Sequence, residues 1–163
     1  MTYAAFSGFD LLAQGSLAEV HAACGQDPGA VIFDQETGRV VDVDPRFPPG
    51  EEGSRPGRPR LGVVAREVTL LPRHWDWLAT QSGGASVALR KLVEEASRNP
   101  KARQRARRDA VYRFATALVG NAPGYEEAMR ALYAGQHEDF AAHIEGWPRD
   151  VRHALEEMTA EAF

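Results

Sequence analysis

The chain has 163 residues, 44 % hydrophobic and 26 % charged, which is enough apolar material for one ordinary domain or two small ones and too much for a disordered chain. A single cysteine, Cys24, excludes an internal disulfide framework and a multi-cysteine zinc site. The formal charge of −4 conceals a partition: residues 1–54 carry two basic and nine acidic side chains, residues 55–108 thirteen basic and four acidic, and residues 109–163 four basic and ten acidic.

A basic centre between acidic flanks points to a local anion-binding surface rather than bulk attraction to a polyanion. No apolar run approaches the ~20 residues of a bilayer span. Met1 to Asp10 holds neither the basic residues nor the apolar stretch of a secretory signal, so a cytoplasmic protein with no membrane partner is expected.

Tyr3–Phe6 and Leu11–Ala13 read as strands around the turn Ser7-Gly8-Phe9-Asp10. Ser16 and Glu19 form a capping box for a short helix whose apolar side carries Leu17, Val20 and Cys24. Gly25 and Asp27-Pro28-Gly29 stop it. Val31–Phe33 and Arg39–Val43 read as strands around residues 34–38. The order ββαββ predicts a small α+β lobe over 1–44, with its helix on one sheet face and Cys24 as a small buried hydrophobe.

Residues 45–60 break every period. Five prolines and three glycines there deny both helix and ladder hydrogen bonds, so a linker is expected. Leu61–Leu71 reads as a strand, and Pro72 suits the first position of a helix in which Trp75, Leu78 and Ala79 share a face. Ser82-Gly83-Gly84 breaks that helix. Ala85, Ala88, Leu89, Leu92, Val93 and Ala96 then make a clear amphipathic helix, ended by Asn99-Pro100. Residues 100–163 read as four helices. Their stripes are Ala106, Ala110, Val111, Phe114, Ala117 and Leu118; Tyr125, Ala128, Met129, Leu132 and Tyr133; Phe140, Ala141 and Ile144; and Val151, Leu155 and Met158. Trp75, Trp77 and Trp147 are expected to anchor packing.

Two segments of the basic third resemble DNA-binding families. Arg55-Pro56-Gly57-Arg58-Pro59-Arg60 resembles an AT-hook, with Gly57-Arg58-Pro59 as its core, Arg55 and Arg60 as basic flanks, and Pro56 as a departure from the usual pattern. Such an arm is extended and places arginine in the narrow minor groove of A·T-rich DNA; the alternative is a basic linker. Arg66-Glu67-Val68-Thr69-Leu70-Leu71-Pro72-Arg73, followed by Leu78, Gly83-Gly84 and Ser86–Ala96, resembles the ribbon-helix-helix family. In that family two chains pair their strands into a ribbon that enters the major groove. The resemblance implies that Arg66, Val68 and Leu70 face DNA, that Arg73 joins them, and that Gly84, Ala85 and Ser86 lie at a phosphate held by a helix N-terminus. The opposite register turns Val68 and Leu70 inward and exposes Glu67 and Thr69; a one-residue slip exchanges the faces, and the sequence leaves both open. Arg98, Lys101, Arg103, Arg105, Arg107 and Arg108 form either a solvated helix start or a phosphate-tracking segment.

The chain is also similar along its length to a family of uncharacterised bacterial proteins. The similarity rests on Ala30-Val31-Ile32-Phe33-Asp34, Leu61–Trp75 and Gly146-Trp147-Pro148-Arg149-Asp150-Val151, and implies no activity. Enzyme signals are poor: His21, His74, His137, His143 and His153 lack metal-site spacing, and Ser82-Gly83-Gly84 is neither a nucleophile elbow nor a phosphate loop. No catalytic residue, metal or cofactor is expected.

The fold class expected is α+β: a ββαββ N-terminal lobe, a linker, a ribbon-helix-helix-like centre over 61–99, and a helical C-terminal region. The expected function is that of a dimeric DNA-binding protein, a transcriptional regulator with its basic arm in the minor groove of an A·T-rich duplex. The rival is a non-catalytic interaction module that uses the same centre only for dimerisation, with a further protein as partner.

Overall fold

A computed structural model describes residues 2–25, 27–42, 66–160 and 162–163. The AT-hook-like residues, the linker and the first half of the expected central strand lie outside them. Among the described residues the elements run β1 (Tyr3–Ser7), β2 (Asp10–Gly15), α1 (Leu17–Cys24), β3 (Ala30–Asp34), β4 (Arg39–Val41), α2 (Pro72–Ala79), α3 (Gly84–Ser97), α4 (Pro100–Val119), α5 (Tyr125–Ala134), α6 (His137–Ile144) and α7 (Arg149–Thr159). The α+β class and the ββαββ order stand as read from the sequence. Two units result. One draws its described residues from 2–42 and 103–163, the other from 66–102.

In the first unit the strands form an antiparallel sheet of order β2-β1-β3-β4. Strand alternation sends successive side chains to opposite faces. Ala5 and Ile32 lie under α1 with its Val20, and Tyr3, Ala13, Leu17, Cys24 and Val41 pack around them. Ala4, Phe6 and Phe33 point the other way, into the core built by α4 to α7. The lobe and the C-terminal helices therefore share one core. Burial pushes the half-buried Cys24 thiol up, with Asp27 adding to the effect.

The capping box is present at α1. Ser16 Oγ accepts from the Glu19 N–H at 3.3 Å, and the Glu19 carboxylate accepts from the Ser16 N–H at 2.8 Å and its hydroxyl at 2.7 Å. These bonds hold the Glu19 carboxyl below its usual range. A bulge opposite Ala5 and Phe6 leaves Leu12 without a Cα partner, 40 % exposed. Edge strand β2 is covered by α7: Leu11 N–H donates to Asp150 Oδ2 at 3.0 Å, and Gln14 Nε2 donates to Glu157 Oε2 at 3.1 Å. Such cover blunts an edge that would otherwise template pairing.

Phe114 of α4 joins the helices to the sheet. Its ring meets Phe33 at 4.9 Å and Phe6 at 5.5 Å, both edge-on, while Phe6 and Phe33 meet each other at 6.2 Å; all three are fully buried. The β3–β4 turn docks beside them. Asp34 Oδ1 accepts from the N–H groups of Glu36 and Thr37, and Arg113 Nη1 donates to Thr37 O at 2.8 Å. Gly38 adopts φ +67°, and a Cβ there would overlap the Ala110 carbonyl. The turn lies directly on the α4 backbone because this position has no side chain.

Some sequence expectations shift. Ala117 and Ala141 are exposed, whereas Ala115 and Val119 are buried. Alanine is compatible with either face, so its place in a stripe carries little information until a neighbour covers it. β4 ends at Val41. The amphipathic helix ends before Asn99-Pro100 as expected, α3 closing at Ser97, and Pro100 also starts α4, where Asn99 Oδ1 accepts the Lys101 N–H at 3.0 Å across the junction. Arg66–Leu70 pair with no strand among the described residues.

Replacing Phe114 by Ala should cost about 3–5 kcal/mol, the usual penalty for emptying a buried aromatic site. Gly38→Ala should cost about 1–3 kcal/mol through backbone strain, plus displacement of α4. Urea unfolding monitored by circular dichroism measures both.

Candidate functional site

The second unit is a helix hairpin. Pro72 pre-sets the first turn of α2, where Leu71 accepts from His74 N–H at 2.8 Å. Thr80 closes α2, its hydroxyl donating to Trp77 O at 2.7 Å. Gly83 and Gly84 then reverse the chain with φ +85° and +77°, values that a side chain would resist. α3 follows, packed against α2.

Very little is buried here. Leu78 and Ala88 are the buried residues of the two helices. Val68, Leu71, Trp75, Trp77, Leu92 and Val93 are all exposed, Val93 to 65 %. Leu70, His74, Trp77, Leu78, Leu89 and Leu92 line an apolar groove of about 270 Å³. The expectation that Trp75 and Trp77 anchor packing is corrected: both are exposed, and among the described residues of α2 it is Leu78 that is buried. Trp147 does behave as an anchor, 5 % exposed, with Nε1 donating to Pro123 O at 2.8 Å and its ring stacked on Tyr125.

Arg55, Gly57, Arg58, Pro59 and Arg60 fall outside the described residues. Arg66, Val68 and Arg73 are exposed, and Leu70 is half-buried at the groove. Among the described residues Arg66 and Arg73 have no ion-pair partner. Gly84 and Ser86 are exposed and Ala85 half-buried. The first turn of α3 has no side-chain cap, and a Cβ at Gly84 would meet nothing within 4 Å. This helix start is therefore open to approach, with its dipole favouring an anion.

The basic run from Arg98 to Arg108 does not act as one stripe. Arg98 pairs with Glu94 at 2.7 Å. Arg108 belongs to the first unit, where its guanidinium donates to Ala162 O at 2.8 Å and Tyr133 O at 3.1 Å, tying the C-terminal residues to α5. Arg107 lines a polar recess with Gln35, Glu36 and Glu157. Sequence spacing treats these cations alike, because partners as distant as Ala162 leave no local signal.

A second cluster that spacing does not reveal lies on α4 and α5. Tyr133 donates to Asp109 Oδ1 at 2.8 Å, and its ring lies 6.1 Å from that of Tyr112. Partial burial, then the hydrogen bond to Asp109, pushes the Tyr133 phenol up to about 12. His137, His143 and His153 are exposed; His137 meets Phe163 edge-on, and His153 lies near Glu156 and Glu157. Among the described residues no group of three His, Cys, Asp or Glu side chains could hold a metal ion, and no helix is long and apolar enough to cross a membrane.

A family model described as an uncharacterized protein conserved in bacteria (DUF2239) matches residues 48–159. The match takes in the central hairpin and the C-terminal helices and excludes Ala30–Asp34. No curated protein and no solved structure matches the chain.

The folded phenol of Tyr133 stays protonated above its ordinary value of 10. Its stabilising contribution is complete below pH 10 and is lost as pH rises towards about 12. Urea midpoints measured between pH 8 and 11.5 should fall at the alkaline end, and Tyr133→Phe should flatten that part of the decline.

Proposed function

The chain belongs to the bacterial family whose model spans residues 48–159, and on that footing we propose that it acts as a dimeric DNA-binding protein, a transcriptional regulator. The observation that carries this reading is the composition of the central hairpin's surface. Large apolar side chains stand exposed beside Arg66 and Arg73, which lack acidic partners among the described residues. A second copy would cover the first; phosphates would complement the second. Each large apolar side chain taken fully out of water contributes about 1.5–3 kcal/mol.

In this reading Arg66 and Arg73 approach the duplex from the segment preceding α2 and from its first turn. The uncapped start of α3, at Gly84, Ala85 and Ser86, offers backbone N–H groups to a phosphate. Arg55, Arg58 and Arg60, which lie outside the described residues, add cations for the minor groove of an A·T-rich site. The acidic first unit opposes indiscriminate coating of the polyanion.

A second reading is favoured by the apolar groove and by the engagement of Arg98 and Arg108: a non-catalytic interaction module that dimerises through the hairpin and takes a further protein as partner. DNA binding separates the two.

Fluorescence anisotropy with a labelled A·T-rich duplex should report binding at 50 mM salt that weakens at least a hundredfold by 200 mM, as neutralising several phosphates requires. Arg58→Ala should reduce affinity about tenfold on A·T-rich duplexes and less on G·C-rich ones. A flat salt response, or no binding at low salt, overturns the proposal in favour of the interaction module.

A further inference from the structure

A hollow of about 400 Å³ lies at the carboxyl end of α4 in the first unit. The last turn of the helix lines it, together with Phe9 from the β1–β2 turn, Pro123, and the Gly146-Trp147-Pro148 segment before α7. Trp147 is held in place: it is buried, its indole N–H donates to Pro123 O, and its ring stacks on Tyr125. Phe9 is 49 % exposed.

The electrostatics of this hollow come from backbone. A helix of 20 residues carries the equivalent of about half a negative charge at its carboxyl end. Lys, Arg or His in the last turn commonly offsets that charge, and α4 has no basic residue there. Val119 O accepts from Ala122 N–H at 2.9 Å, which takes the donor that would otherwise reach Leu118 O. Among the described residues no backbone N–H beyond the helix donates to Ala117 O or Leu118 O. None of the described residues lining the hollow carries a charged side chain, so the helix end sets the sign of the potential.

We infer that this hollow binds a small organic cation, a quaternary or methylated ammonium group. The helix end favours positive charge and disfavours an anion. An aromatic ring such as Phe9 attracts a cation held over its face within about 6 Å, and Pro123 and Pro148 offer apolar surface to its methyl groups. A hard metal ion fits poorly. Calcium takes about 6–8 oxygen ligands, and here a few carbonyls alternate with aromatic, proline and alanine surface. The inference concerns the first unit alone and does not depend on a second copy or on DNA.

Gly146 provides a variant that fills the space. A Cβ there would meet nothing within 4 Å, and the backbone lies outside the left-handed region, so the fold accommodates Gly146→Leu. Phe9→Leu keeps an apolar side chain at the turn and removes the ring.

Choline is the probe, compared with its uncharged carbon analogue, in which a tert-butyl group replaces trimethylammonium. In nitrogen–proton correlation spectra of the full-length chain, choline should shift the amide signals of Phe9, Gly120, Asn121 and Gly146 saturably, with a dissociation constant of about 1 mM, the scale for a small cation held by few contacts. Sodium chloride at equal concentration should leave them in place, and the uncharged analogue should bind at least tenfold more weakly. Gly146→Leu should abolish the choline shifts and Phe9→Leu should weaken binding at least threefold, with circular dichroism confirming that each variant keeps its helical content. Choline shifts that never saturate or do not occur, equal binding of the uncharged analogue, or unchanged binding in either folded variant overturns the inference.

Discussion

The first unit depends on the edge-on contact between Phe114 and the two sheet phenylalanines. Phe6 and Phe33 sit on neighbouring antiparallel strands with their rings on one face, and Phe114 of α4 meets both within 5.5 Å. Edge-to-face geometry suits the ring quadrupoles and adds to the area buried. Around that contact the β3–β4 turn lies flush on α4 at Gly38, Arg113 fixes the turn through Thr37, and α7 closes the β2 edge through Asp150 and Glu157. Segments far apart in sequence become one core because each supplies half of an apolar surface that neither could bury alone.

The central hairpin has the opposite character. Proline at its start, threonine at the end of α2 and two left-handed glycines at its turn define its geometry locally. Its packing among the described residues is sparse. A pair of helices 8 and 14 residues long that buries one leucine and one alanine holds few of the contacts that stabilise a small unit. Its tryptophans, leucine and valine lie outside, where soluble proteins keep apolar groups only singly or for a purpose. The same unit carries Arg66 and Arg73, exposed and without an acidic partner among the described residues. These features motivate the proposals of a second copy and of an anionic ligand: among the described residues, few side chains of the hairpin are covered.

The cations divide by environment rather than by position in sequence. Arg108 is used up by carbonyl oxygens of α5 and the C-terminal residues, and Arg98 by its own helix. A guanidinium with five donors in a fixed fork is suited to gathering carbonyls from separate elements, which is why a basic run can serve packing at one end and remain open to solvent at the other.

Local chemistry made much of this protein legible from its residues. The capping box at Ser16 and Glu19, Pro72 at a first turn, the glycine stops and the alternation of Ala4, Ala5 and Phe6 each act within one or two turns of chain, so β1 to β4, the helices and the α+β class follow from the sequence, whereas residues 66–71, expected to end a strand, form none in the structure. The pairing of the sheet with α4, the exposure of Trp75 and Trp77, the burial of Ala115 and Val119 in place of Ala117, and the capture of Arg108 were decided only in three dimensions. Each depends on which surface arrives from elsewhere, and an apolar or cationic side chain has the same local preferences whether or not a partner comes to cover it.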